Sequence, residues 1–275
     1  TKAILAIHLF GNPCDMDAFS AMSARHGLPV IEDCSQAHGT RYKGRLCGTV
    51  GDVGAFSLQA SKHITTGEGG MTVTDREDLA ERGAFFQDKG WARGAFGPRA
   101  YRFLAPNYRM PELSAAVGIA QLSRLDDVVA RRHANGERLR ALIADAPGIR
   151  PQAVTAGGEH SYWLFAMTVR PDAAFAAAPF AQALQAERIP AGAGYIGRPI
   201  FECAEACWNR NTFGTSGLPY TLPGRESPVR YGPGCCPVTR DILNRMVTLP
   251  LTEFLTETDL ADMARAVHKV AAGLT

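Results

Sequence analysis

The chain is short of every feature that would commit it to a membrane or to nucleic acid. Its 275 residues carry 29 basic and 27 acidic side chains, a formal net charge of +2, and neither sign is gathered into a tract or a tail. A basic tract that would bind nucleic acid is therefore missing, and so is an acidic solvating segment. No apolar run approaches the length that spans a bilayer, and no charged n-region precedes an apolar h-region at the start. Internal repeats and low-complexity stretches are absent too. These absences leave a soluble, cytoplasmic globular protein, with 46% hydrophobic residues to build a core. Position 1 is Thr and not Met, and the chain enters the strand-like run Ala3-Ile4-Leu5-Ala6-Ile7 without a lead-in. A domain rarely starts on a buried strand, so a truncated or processed start is expected.

A disulfide framework is excluded next. The cysteines, Cys14, Cys34, Cys47, Cys203, Cys207, Cys235 and Cys236, are odd in number and irregularly spaced, and a chain of this size needs no staples. The run from Cys203 to Cys236 offers no C-x2-C partner and no histidine, and adjacent cysteines make a poor tetrahedral pair. Free thiols are expected, and no metal.

What is present reads as alternating strands and helices. Residues 4–8 form a short apolar run closed by Gly11, Asn12 and Pro13, the pattern of a buried strand. Residues 15–26 place Met16, Phe19 and Met22 on one helical face, with Gly27 where a C-terminal cap belongs. Residues 28–31 return as a strand that delivers Glu32 and Asp33 at its C-terminal end. That succession implies a βαβ unit. Residues 53–58 and 71–74 read as further strands, the second following Gly67, Gly69 and Gly70. Asp75 is placed to cap a helix reaching about residue 86. Pro111 opens a helical stretch to about residue 146, stopped by Pro147-Gly148. Beyond it, residues 161–169 read as a strand, 180–188 as a helix and 192–234 as an irregular Gly/Pro/Cys-rich stretch. Residues 256–270 close the chain as an amphipathic helix with Leu260, Met263, Val267 and Val270 on one stripe. The expected class is α/β: a mostly parallel sheet with helices on both faces over residues 1–148, ending in a long connecting helix, then a smaller α+β domain over 149–275.

Three segments carry candidate chemistry: Ile31-Glu32-Asp33-Cys34-Ser35-Gln36-Ala37-His38-Gly39, the stretch from Phe56-Ser57 through Lys62 to Gly70, and Asn107-Tyr108-Arg109-Met110. The first sets a carboxylate at the C-terminal end of a parallel strand, where open α/β sheets bind ligands. The second sets a lysine between a strand end and a Gly-Glu-Gly-Gly turn, whose glycines let backbone approach a ligand closely. An acid at one strand end and a lysine beyond another suit pyridoxal phosphate, which needs a lysine for its aldehyde and a carboxylate against its ring nitrogen. The same residues also fit plainer roles, since a lysine beside glycines is commonly a solvated loop residue and a strand-end aspartate a turn residue.

The segment FSLQASKHITTGEGGMTVT resembles the lysine segment of the DegT family of sugar aminotransferases, which are fold-type-I pyridoxal phosphate enzymes. VIEDCSQAHGTRYKGRLCGTVGDVGAFS is similar to the segment preceding it in that family, and NYRMPELSAAVGIAQLSRLDDVVARR to a later one. The opening TKAILAIHLFGNPCDMDAF and the closing VTLPL fit as well, so the resemblance runs in order over almost the whole chain. It implies Lys62 as the Schiff-base lysine and the general acid and base. It implies Asp33 as partner of the pyridine nitrogen, Gln36 beside the ring and its phenolic oxygen, and Ser57 as a phosphate-binding hydroxyl. Asn107 would reach the phosphate held by the other subunit of a homodimer with shared active sites. The implied reaction moves an amino group from an amino acid, glutamate or glutamine, to a keto-sugar that is expected to be nucleotide-linked.

Two departures from the family pattern bear on this. Family members carry a further N-terminal segment with the small-residue turn that cradles the phosphate and an aromatic that stacks on the cofactor. Nothing in this chain corresponds to it, so the implied large domain is N-terminally incomplete. A dehydratase branch has histidine at the lysine position, followed by another histidine; Lys62-His63 keeps the lysine and favours transamination. The alternatives are a sugar dehydratase or keto-inositol aminotransferase of the same fold, and a truncated, non-catalytic relative that binds a sugar or a partner. Trp163 and Phe165 are expected to pack the sheet of the smaller domain, and Arg131-Arg132 to form a solvated helix face. His38 is expected either to touch substrate or to hydrogen-bond behind the site.

Overall fold

The strands foreseen between residues 3 and 74 form one sheet, in the order β1 (Ile4–Ile7), β2 (Val30–Asp33), β3 (Val53–Ser57) and β4 (Gly70–Val73). β1 and β2 pair in parallel, as do β2 and β3, while β4 returns antiparallel to β3. The sheet is thus mixed but mostly parallel, and the architecture is α/β. The computed structural model describes residues 1–92, 97–98, 100–212, 214–218, 220–222, 225–226, 231–232 and 234–274. Two units are distinguished, one of residues 1–138, 153–165 and 251–256, the other of residues 139–152, 166–250 and 257–275.

In the first unit the register sets Ala6, Glu32, Gly54 and Val73 side by side across the sheet, and Ile4, Val30, Phe56 and Met71 lie on the same face by alternation. Helix α1 (Met16–His26) packs Met16 and Phe19 against that face together with Cys34, Ala37, Tyr42 and Cys47. It begins where the Asp15 carboxylate accepts the Ala18 N–H at 3.2 Å and ends at Gly27, whose φ of 62° is cheap only for glycine. The opposite face presents Leu5 and Ile7, which are 56% and 51% exposed.

Two details of the helices differ from the expectation. Asp75 does not cap α2 (Glu77–Gln87): Arg76 occupies the cap position, its N–H bonded to Thr74 Oγ1 and its guanidinium to Asp52 and Asp78. The long stretch after Pro111 is two helices, α3 (Glu112–Leu122) and α4 (Leu125–Leu142). Ser123 breaks it, because its hydroxyl donates to the Ala120 carbonyl at 2.9 Å and competes with the helical ladder, and the Arg124 N–H then turns back to Gln121. Arg132 of α4 is not on a solvated face. It is nearly buried, bonded to Glu253 at 2.9 Å and to the Leu251 carbonyl at 3.0 Å.

The second unit has a sheet in the order 192–193, β7 (Met246–Pro250), β6 (Leu164–Val169), β5 (Ile149–Pro151). Helices α5 (Ala177–Ala186) and α6 (Glu257–Gly273) accompany it, and the expected stripe of Leu260, Met263, Val267 and Val270 is buried. Of the irregular stretch 192–234, residues 213, 219, 223–224, 227–230 and 233 lie outside the described residues. No described helix is long and apolar enough to cross a membrane.

Candidate active site

Asp33 ends β2 and Ser57 ends β3, so both stand at the carboxyl ends of adjacent parallel strands, on the face opposite Phe56. From there the chain makes a connection to β4 that carries Lys62. Its backbone is tied at the neck, with Leu58 N–H on the Gly69 carbonyl and Thr66 N–H on the Leu58 carbonyl, both at 2.9 Å. Inside it the Lys62 N–H bonds the Gln59 carbonyl at 3.0 Å.

A second stretch of the same unit, residues 158–163, grips this connection. Gly158 and Glu159 pair antiparallel with Arg41 and Tyr42, and the Ser161 N–H bonds the Gly11 carbonyl at 3.0 Å. Gly11 has φ 94°, and a Cβ there would run into Ser161 Oγ. Thus held, the stretch makes three contacts with the lysine segment. The Trp163 indole N–H donates to the Ser61 carbonyl at 2.7 Å, His63 Nε2 bonds the Ser161 carbonyl at 3.0 Å, and the Lys62 amine lies 4.5 Å from the centre of the Trp163 ring. Trp163 therefore does not pack the sheet of the second unit as expected. The turn at Tyr162, with φ 50°, precedes β6 and sends the indole to the lysine, whereas Phe165 inside β6 is fully buried and stacks on Tyr162.

Gln36 joins the same wall. Its Oε1 accepts the Phe10 N–H at 2.9 Å, and the Phe10 ring stacks on Trp163 with centroids 6.3 Å apart and planes 23° apart. Gln36, Phe10, Trp163 and Lys62 thus form one contiguous surface. Phe10 and Trp163 were not foreseen as site residues, because nothing local to either sequence segment reports that Gly11 and Ser161 cross.

The electrostatics favour a reactive amine. Burial pushes the Lys62 amine below the usual lysine range, with the Asp33 carboxylate acting in the opposite direction. Asp33 Oδ1 accepts the Ser35 N–H at 2.9 Å, and no cation is in salt-bridge contact with the carboxylate among the described residues. Behind the lysine, the His38 and His63 rings stand 5.5 Å apart, and both are buried. Burial lowers His38 to about 4, and the Lys62 charge adds to this; burial lowers His63 to about 3 against the opposing bond to Ser161. Neither nitrogen of His38 has a well-formed hydrogen bond. Its ring lines a cavity of about 820 Å³ whose walls are otherwise largely apolar, among them Phe56, Met71, Ile119 and Val129.

One residue before Asp33, the Glu32 carboxylate is consumed internally. It accepts His8 Nε2–H at 3.0 Å and the backbone N–H groups of Gly48, Val50 and Gly51 at 2.8, 2.8 and 2.6 Å. Burial alone would raise its pKa, but His8 and these N–H groups outweigh burial and bring it below the usual range. The His8 Nδ1 accepts the Cys14 N–H at 3.0 Å, so its Nε2 carries the proton that Glu32 accepts. Ligand atoms of His8, Glu32 and Cys34 lie within 4.8 Å of one another, yet the lone pairs of the first two are already engaged. The cluster fits a structural knot better than a metal centre.

Asn107 stands apart. It is exposed, bridges to Asp88 and accepts the Arg109 N–H at 3.4 Å, with no hydrogen bond to Lys62, Asp33 or Gln36 among the described residues.

A half-buried lysine of lowered pKa, influenced by a carboxylate that makes no ion pair among the described residues, is the kind of donor set that pyridoxal phosphate requires. Comparisons with known proteins give the family. Residues 1–210 match the DegT/DnrJ/EryC1/StrS aminotransferase family. The chain is 36% identical to the L-glutamine:2-deoxy-scyllo-inosose aminotransferase of Streptoalloteichus tenebrarius, over 98% of its own length and 65% of that protein's. It is 36% identical to the GDP-perosamine synthase of Escherichia coli O157:H7 over 62% of this chain and 46% of that one. Among solved structures, DesV of S. venezuelae, determined in complex with a ketimine intermediate, superposes with a TM-score of 0.80 at 28% identity, covering 98% of this chain and 65% of that one. The chain thus spans about two thirds of the length of these longer matches.

Proposed function

The chain belongs to the DegT/DnrJ/EryC1/StrS aminotransferase family, and we propose that it is a pyridoxal-phosphate-dependent aminotransferase. In this reading it moves an amino group from glutamate or glutamine to a keto-sugar. The observation that carries the reading is Lys62 itself: an amine of depressed pKa beyond β3, with the Asp33 carboxylate at the end of the neighbouring strand. Pyridoxal phosphate, when bound, supplies an electron-accepting ring.

The protein's residues then have defined tasks. Lys62 would hold the cofactor through its amine, and the same amine would carry a proton off and onto the reacting carbon. A lowered pKa suits this work, because the neutral amine that must accept the proton is then better populated at neutral pH. Asp33 keeps the ring nitrogen protonated by Coulombic attraction. Gln36, fixed by the Phe10 N–H, would hold the ring, and Ser57 the phosphate. Asn107, exposed and without a hydrogen bond to Lys62 among the described residues, is assigned to the partner's site in a homodimer.

Two acceptor classes are supported. The GDP-perosamine synthase match favours a nucleotide-linked keto-sugar, and the scyllo-inosose aminotransferase match favours a keto-cyclitol with glutamine as donor. Assaying the cofactor-loaded protein with each donor against a panel of both acceptors tests the proposal. Release of the donor's 2-keto acid with matching amination of an acceptor is expected. Cofactor binding with no amine transfer to either class would overturn the reading.

A further inference from the structure

We propose that Trp163 is the seat of the Lys62 amine: the indole face holds the ammonium in place whenever the lysine is not bonded to a cofactor. Lysine is a flexible four-carbon stem ending in a point charge, and left alone it would sample many rotamers. Trp163 cannot follow it. The indole is held by its backbone N–H on the Phe10 carbonyl at 2.8 Å, by its Nε1–H on the Ser61 carbonyl at 2.7 Å, and by the stacked Phe10 ring. A rigid ring within 4.5 Å of a mobile cation fixes the cation.

The alternative partners are few. The titratable groups that act on Lys62 are Asp33 from β2, and His38 and His63 beside it. Both histidines are neutral at neutral pH, and Lys62 makes no ion pair among the described residues. The chemistry of a ring seat differs from that of a carboxylate. A carboxylate in contact would lock the lysine in its charged form, whereas an aromatic face attracts the ammonium without accepting a conventional N–H···O bond. The amine is thereby placed at the strand ends and remains easy to deprotonate and to release. Trp163 acts through Lys62 and is a positioning residue. Its value for catalysis rests on the aminotransferase reading, but the seat itself does not.

The test uses the protein without cofactor, so that it stands apart from activity. Besides Lys62 the chain has only Lys2, Lys43, Lys89 and Lys269, and reductive methylation with ¹³C-formaldehyde gives resolvable dimethyl-lysine signals. Lys62 is assigned with Lys62→Arg. In the wild-type protein the Lys62 signal should be displaced upfield by the indole ring current, and it should titrate with a midpoint below that of the other lysines. In Trp163→Leu, which keeps an apolar cover but removes the π face, the midpoint should fall further, by about half to one pH unit. Trp163→Phe, which keeps a face but loses the Nε1–H, should stay near wild type. A wild-type signal without ring-current displacement would overturn the proposal even if neither variant folds. So would a midpoint unchanged or raised in Trp163→Leu, or one that falls equally in Trp163→Phe.

Discussion

The His8 ring donates to the Glu32 carboxylate at 3.0 Å with both side chains fully out of water, and the carboxylate also takes the N–H groups of Gly48, Val50 and Gly51. This knot ties β1 to β2 and to the turn before β3, immediately before Asp33. Removing the carboxylate leaves one ring N–H and the Gly48 N–H buried without partners, and strands the part-buried N–H groups of Val50 and Gly51. Glu32→Ala should therefore cost about 3–5 kcal/mol in urea denaturation. A loss below about 1 kcal/mol would show that water or another acceptor fills the place.

His38 and His63 make the protein acid-sensitive. Both have folded-state pKa values well below 6.5, about 4 and about 3, so the unfolded chain takes up their protons first as pH falls. The stability present above about pH 6.5 is lost progressively between there and about pH 3. His38→Phe should remove its share of that slope, about 2 kcal/mol, when stabilities are compared at pH 7 and pH 4.5. An unchanged slope would mean that His38 finds a partner when protonated.

Much of the fold was legible in the sequence because local chemistry decided it. Gly27 ends α1 where a left-handed residue is needed, and the apolar runs at β1, β2 and β3 needed only their own pattern. The break at Ser123 was not, since serine is tolerated in helices and only its bond to Ala120 shows that it competes here. The candidate site divides in the same way. Asp33 and Lys62 stand out at strand ends, but their roles, like those of Gln36, Ser57 and Asn107, come from family resemblance. Trp163 was misread, because alternation over residues 161–169 resembles a strand. Its approach to Lys62 depends on the turn at Tyr162 and the crossing at Gly11, which only the folded chain displays.

Asp33→Asn should leave the cofactor detectable in the protein but cut turnover ~100-fold or more, because a neutral amide cannot hold the ring nitrogen protonated. Absorbance of bound cofactor and steady-state rates measured on the same preparation separate the two effects. Near-normal turnover would remove Asp33 from the assignment.

Asn107 is exposed and makes no hydrogen bond to Lys62 among the described residues, which fits a residue that serves a neighbouring subunit. Mixing inactive Lys62→Ala and Asn107→Ala proteins under conditions of subunit exchange should restore measurable turnover, since one hybrid site keeps both residues. Verified hybrids without any recovery would refute a shared site.

The central claim is that Lys62 is where the cofactor is bonded. Reducing the pyridoxal-phosphate-loaded protein with borohydride, then digesting it and weighing the peptides, tests this directly. One phosphopyridoxyl adduct is expected, on Lys62, which disappears in Lys62→Ala while circular dichroism shows the fold unchanged. An adduct that maps instead to Lys2, Lys43, Lys89 or Lys269, or that survives in Lys62→Ala, would contradict it.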